Sequence, residues 1–188
     1  MNMQGTGAVG LSIVALARLS GAGVVIAIGA PADRLDLARR MGADVTLDVT
    51  TSSAEQRLAQ VRALTGGRGV DVAIEASGAP AAVEEGPALI RDGGRYVIAG
   101  HYTDAGPSAI NAHQHINRKH LEIRGCWGSE AGHFLRAVQV LERHAAVVPF
   151  RDIGARVYAL DELNQALAAA ASYAIPKALV APQRRAGV

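Results

Sequence analysis

Gly5-Thr6-Gly7-Ala8-Val9-Gly10 decides how this chain is read, because its glycine spacing is that of a tight turn joining a first, central β-strand to a helix. Gly5 allows the turn, Gly7 lets the backbone approach a phosphate, and Gly10 removes the side chain that would hold the helix off the strand. The free amides of Ala8 and Val9 then point at a pyrophosphate, an anion that a helix N-terminus favours. Taken alone, such a turn also serves methyltransferases and flavoproteins, or is merely structural, so its surroundings must carry the assignment. Only Met1 to Gln4 precede it. The first strand is therefore expected to be a truncated stub, and the chain to be part of something larger.

Outward from the fingerprint, short apolar runs alternate with longer stretches of helical period as far as Gly100, the signature of βαβ units. Val24–Ile28 is continuously apolar and mostly β-branched, as a parallel strand covered on both faces should be. Val45–Val49, Val70–Ala76 and Arg95–Ala99 are its expected partners. Ala8–Leu19, Ala32–Met41, Ala54–Leu64 and Pro80–Ile90 are the crossover helices, with Leu35, Ala38 and Met41 on one face of the second and Leu58, Val61 and Leu64 on one face of the third. Ser52 and Glu55 are spaced as a capping box, Pro31 stands at a first helical turn, Gly21 follows the first helix, and Gly66-Gly67 stop the third.

From His101 to Arg118 the pattern lapses into Gly, Pro, Asn and His, a connection long enough to be functional or mobile. A strand at Leu121–Cys126, helices at Ala131–Leu141 and Asp161–Ala171, and a strand at Ala178–Ala181 follow. The fold class is thus a doubly wound parallel α/β sheet of Rossmann type, with a dinucleotide-binding domain over residues 1–128 and a C-terminal α/β segment over 129–188.

Composition narrows the functional classes. With 49% hydrophobic residues, 19% charged residues and a net charge of +2, neither disorder nor a nucleic-acid-binding surface is favoured. The single Cys126 excludes an intrachain disulfide framework and fits a reducing, cytoplasmic setting. Val9 to Ala17 is too short to span a bilayer and is followed by Arg18.

The end of the second strand is where an Asp or Glu accepts the adenosine ribose hydroxyls of NAD. This chain has Ile28-Gly29-Ala30-Pro31-Ala32-Asp33-Arg34 instead. Gly29 leaves room and no negative charge, and Arg34 is placed to reach a 2′-phosphate, which favours NADP over NAD. The competing readings are Arg34 as a solvated surface charge and Asp33 as a ribose partner.

These residues resemble the zinc-type medium-chain dehydrogenases/reductases, which include alcohol, sorbitol and threonine dehydrogenases. The resemblance rests on the opening fingerprint, Arg39-Arg40-Met41-Gly42-Ala43-Asp44, Leu64-Thr65-Gly66-Gly67-Arg68-Gly69-Val70-Asp71, Glu75-Ala76-Ser77-Gly78, Gly93-Gly94-Arg95-Tyr96-Val97-Ile98-Ala99-Gly100 and Leu121-Glu122-Ile123-Arg124-Gly125. It implies that Ala76 and Ser77 line the adenine side of a nicotinamide dinucleotide and that Ala99, Gly100 and His101 approach the nicotinamide. It also implies that Trp127 lies where the chain crosses toward a catalytic domain, that Lys177 matches a lysine near the C-terminal strand, and that a homodimer pairs through a sheet edge at Leu121–Cys126. Members of that family carry an N-terminal GroES-like domain with the zinc ligands. Zinc is accordingly expected only in the complete enzyme, with no catalytic or metal residue assigned in this chain.

The expected function is the cofactor half of an NAD(P)-dependent oxidoreductase moving hydride between nicotinamide and an alcohol or carbonyl. A free-standing NAD(P)-sensing or partner-docking module is the alternative. His113, His115 and His120 have a spacing that suits a metal but more often marks polar surface, with no carboxylate or thiolate completing a site. Cys126, beside glycine and tryptophan on an apparent strand, is expected to be a buried structural thiol. Tyr173 and Lys177 repeat the spacing of the short-chain reductase pair, but Pro176 interrupts the helical turn that pair requires. A methyltransferase would also want the acidic second-strand end that Gly29 replaces.

Overall fold

Val25 to Ile28 are all buried and alternate between two separate cores, which is why this strand has no polar side. The computed structural model, which describes residues 1–183, places that run at the heart of a six-stranded, wholly parallel sheet. Its strands are β1 (Asn2–Gln4), β2 (Ile26–Gly29), β3 (Val45–Asp48), β4 (Val70–Glu75), β5 (Ile90–Ile98) and β6 (Glu122–Gly125), in the order β3-β2-β1-β4-β5-β6. The winding reverses between β1 and β4, so the loops leaving these strands diverge and open a crevice at their C-terminal ends.

The short first strand is fully used. Asn2, Met3 and Gln4 are buried and pair with Ile26, Ala27 and Ile28 on one side and with Ala73, Ile74 and Glu75 on the other. Helices α1 (Ala8–Leu19), α2 (Ala32–Arg40), α3 (Ala54–Leu64) and α4 (Pro80–Leu89) cover the sheet. Met3, Leu11, Val14, Val25, Leu37 and Met41 form the core on one face; Ile26, Ile28, Leu47, Val61, Val83 and Tyr96 form the other. The expected faces hold for α2, whose Leu35, Ala38 and Met41 are buried, and in part for α3, where Val61 is buried but Leu64 is 41% exposed.

The capping box lies one residue beyond its expected place. Ser52 is taken up by the preceding turn, its hydroxyl donating to the Asp48 carbonyl. Ser53 therefore caps α3, accepting from Gln56 N at 3.2 Å while its own amide donates to Gln56 Oε1 at 2.8 Å. Gly66 and Gly67 end that helix with φ of 61° and 82°, a conformation that favours glycine.

Beyond β5, the stretch expected to be irregular contains a π-helical turn at Ala112–Asn117. The tail adds α5 (Ala131–His144), β7 (Ala155–Ala159), α6 (Leu163–Ala171) and β8 (Lys177–Ala181), with β7 and β8 pairing in parallel as a separate sheet. Strand β7 was not anticipated: only Tyr158 and Ala159 of its five residues are buried, so it lacks a long apolar run. No helix among the described residues is long and apolar enough to cross a membrane.

Candidate functional site

The crevice is a cavity of about 1270 Å³ whose walls include Gly5, Gly7, Gly29, Arg34, Ser77 and, from the tail, Lys177. At its floor stands the N-terminus of α1. Gly7 is the N-cap, with extended backbone and no side chain to bond the first turn, and the first helical hydrogen bond runs from Leu11 N to Gly7 O at 2.9 Å. The amides of Ala8, Val9 and Gly10 consequently have no intrahelical acceptor, leaving an electropositive helix end at the crevice.

The three glycines do separate work. A Cβ on Gly7 would meet nothing within 4 Å, so the space before the amides is open. Gly5 has φ of 105°, and a Cβ there would lie 2.7 Å from Ser77 N. A Cβ on Gly10 would lie 1.9 Å from the Gly5 carbonyl oxygen, so α1 can approach the turn only with glycine at that position.

The second-strand end holds a constraint that the sequence did not reveal. A Cβ on Gly29 would fall 2.5 Å from Thr6 Oγ1, which itself donates to the Ala30 carbonyl at 3.1 Å. Glycine is needed there for packing, apart from any question of charge. Arg34 is 6% exposed and is not the solvated surface charge of the competing reading. One of its guanidinium nitrogens donates to the Tyr173 carbonyl, and it has no carboxylate partner among the described residues. Asp33 accepts from the Arg34 amide at 2.8 Å, so its carboxylate is already engaged at the start of α2.

On the other side of β1, the buried carboxylate of Glu75 ends β4. Its Oε1 accepts from Ser77 N at 2.5 Å, Ser77 Oγ at 2.7 Å and Gly78 N at 2.7 Å, and its Oε2 accepts from Gly100 N at 3.2 Å. The His101 imidazole stands 3.8 Å away, its Nε2 buried and without a hydrogen-bond partner. Ala76 and Ser77 line the cavity; Ala99, Gly100 and His101 lie one strand farther out, beyond its lining. The sequence reading gives Glu75 no role of its own, although an acidic residue closing the apolar run Val72-Ala73-Ile74 was the available signal.

Cys126 is exposed rather than buried, because β6 is the outermost strand and ends at Gly125. Trp127, 76% exposed, stacks on Tyr102 with ring centroids 4.8 Å apart. Tyr173 lies beyond α6 with φ of 56° and Lys177 opens β8, so the two do not share a helical turn. His113 and His115 occupy the π-helical turn, and no three ligating side chains converge among the described residues.

The family described as zinc-binding dehydrogenase matches residues 8–143. The 5-exo-hydroxycamphor dehydrogenase of Pseudomonas putida is 34% identical over 165 residues, which are 88% of this chain and 45% of that protein. The erythritol/L-threitol dehydrogenase of Mycolicibacterium smegmatis is 32% identical over 178 residues, 90% of this chain and 45% of its own length. Among solved structures, an alcohol dehydrogenase from Thermotoga maritima superposes with a TM-score of 0.89 at 33% identity, covering 97% of this chain and 49% of that one. This chain thus spans about half the length of the relatives it matches. On the sheet order, the glycine geometry and these matches together, the chain belongs to the zinc-binding dehydrogenase family.

Proposed function

We propose that this chain binds a nicotinamide dinucleotide along the C-terminal ends of β2, β1, β4 and β5, and that it serves hydride transfer between that cofactor and an alcohol or carbonyl compound. The unpartnered first-turn amides of α1, facing open space at Gly7, carry the reading. Gly5, Gly7, Ala8, Val9 and Gly10 receive the pyrophosphate; Gly29, Ala30 and Arg34 take the adenosine ribose; Ala76 and Ser77 flank the adenine side. Ala99, Gly100 and His101 take the nicotinamide side. When bound, the cofactor supplies or accepts the hydride, and the chain's own part is to bind and orient it.

NADP is favoured over NAD because Arg34 is a buried cation in the cavity wall whose guanidinium has no carboxylate partner among the described residues, an arrangement that a 2′-phosphate would complete. The described residues do not fit a catalytic zinc, since no three ligating side chains converge. Zinc is assigned to the complete enzyme, and no step is routed through it. The division at residue 128, a cytoplasmic setting and a homodimer through the edge strand β6 belong to the same reading; among the described residues β6 has β5 as its only neighbour in the sheet.

Titration with NADPH and NADH, followed through the emission of Trp127, the only tryptophan, tests the assignment. Saturable binding is expected for both, tighter for NADPH. Arg34→Ala is expected to weaken NADPH about tenfold, the value of a lost charge-assisted hydrogen bond, while NADH stays within about twofold. Equal NADPH affinity before and after the substitution would remove the 2′-phosphate assignment, and no saturable binding of either dinucleotide would remove the whole reading.

A further inference from the structure

Two turns leave the sheet side by side, one after β4 at Ser77-Gly78 and one after β5 at Gly100-His101, and their backbones touch. A Cβ on Gly78 would lie 2.8 Å from the Gly100 carbonyl oxygen, and a Cβ on Gly100 would lie 2.4 Å from Gly78 N. Backbones that approach so closely need something to fix their offset, and the Glu75 side chain supplies it. Its carboxylate is 0% exposed and accepts four hydrogen bonds, three from Ser77 and Gly78 through one oxygen and one from Gly100 through the other. The two oxygens of one planar group therefore hold one turn each. An isolated carboxylate would be costly to bury, and the four donors offset that cost.

We propose that Glu75 is a positioning residue for the dinucleotide: it sets the placement of the Gly100-His101 turn, on the nicotinamide side, relative to the Ser77 turn, on the adenine side. The inference rests on the cofactor reading above. Glu75 is not itself among the residues that line the crevice; it acts through the Ser77, Gly78 and Gly100 groups it ties. The neighbouring His101 ring, with Nε2 buried, unpartnered and 3.8 Å from Glu75 Oε2, takes its place from the same turn.

The discriminating substitution is Glu75→Gln. An amide keeps the size but has one acceptor oxygen, which satisfies more donors at Ser77-Gly78 (three) than at Gly100 (one), so its NH₂ turns toward the Gly100 amide and the nicotinamide-side turn loses its tie. ADP-ribose and its 2′-phosphate form lack only the nicotinamide ring, whereas NADH and NADPH carry it, so the comparison isolates what the Gly100-His101 turn contributes to holding that ring.

Glu75→Gln is expected to bind ADP-ribose within about twofold of the parent while weakening the reduced dinucleotide about tenfold, the consequence of one unsatisfied group at the nicotinamide turn. The fluorescence of the bound dihydronicotinamide should change with it. A residue that merely supported the fold would lower both affinities together. Parallel losses, or no loss for either ligand, would overturn the role of Glu75 while leaving the cofactor reading intact. Failure of the parent protein to bind either ligand would overturn both.

If the Gln variant does not fold, Glu75→Asp keeps the charge but shortens the reach. It should show the same split between ADP-ribose and dinucleotide, and parallel losses there would count equally against the inference.

Discussion

Gly10→Ala is expected to eliminate measurable dinucleotide binding and to destabilise the fold by about 2 kcal/mol, because the added methyl would sit 1.9 Å from the Gly5 carbonyl oxygen. The obstructing atom is backbone within the fingerprint turn, so no side-chain rotation relieves the contact. Either α1 moves off the turn by more than an ångström, or the turn deforms and breaks the bond from Gly5 N to the Ile28 carbonyl. Both displace the first-turn amides from the crevice. Alanine regains about 1 kcal/mol of helix propensity over glycine, which partly offsets an overpacking cost of about 3 kcal/mol. Urea unfolding and NADPH titration check the result together. Gly7→Ala is the internal comparison, since its methyl meets nothing within 4 Å and should leave stability nearly unchanged. Retained binding with an unaltered urea midpoint in Gly10→Ala would show that the helix does not need its close approach.

How far the sequence reached follows from what periodicity measures. It reports which residues face the sheet, so the two-faced burial of Val25 to Ile28 and the buried stripe of Leu35, Ala38 and Met41 were legible. It does not report what a side chain meets across a long loop. A solvated surface charge stayed open as a competing reading of Arg34 because the group that fixes its guanidinium, the Tyr173 carbonyl, is 139 residues away. Gly29 looked like the absence of an acid, whereas the Thr6 side chain leaves it no space. The capping box slipped by one residue because Ser52 had a competing acceptor in the Asp48 carbonyl. Cys126, between glycine and tryptophan on an apparent strand, reads as buried; it lies one residue past the end of β6, the outermost strand, and is exposed. At the site, the glycine spacing revealed the turn, while the clamp at Glu75 depends on two strand ends brought together by folding.

The same limitation hid Arg57, and its substitution carries the second large expected effect. Helical spacing placed Leu58 and Val61 toward the core, yet Arg57 is 8% exposed. Its Nε donates to Glu85 Oε1 at 2.8 Å and its Nη2 to Glu85 Oε2 at 3.1 Å, a two-pronged pair joining α3 to α4. Nη1 reaches the Ser52 carbonyl and ties the same guanidinium to the turn before α3. With side chains only 10% and 9% exposed, solvent screens this pair little.

Arg57→Met keeps the aliphatic bulk but leaves the Glu85 carboxylate without its cation, an expected loss of about 3 kcal/mol. For a chain of 188 residues that corresponds to a fall in Tm of about 10 °C by calorimetry. Removing both charges is a different perturbation, because no buried ion is then left alone. The double variant Arg57→Met/Glu85→Leu is therefore expected to regain most of the stability that Arg57→Met loses, with a coupling energy of about 2 kcal/mol across the double-mutant cycle. Strict additivity of the two single losses would show that the pair is not coupled. It would place the value of Arg57 in its bond to Ser52 and in the packing of its aliphatic stem.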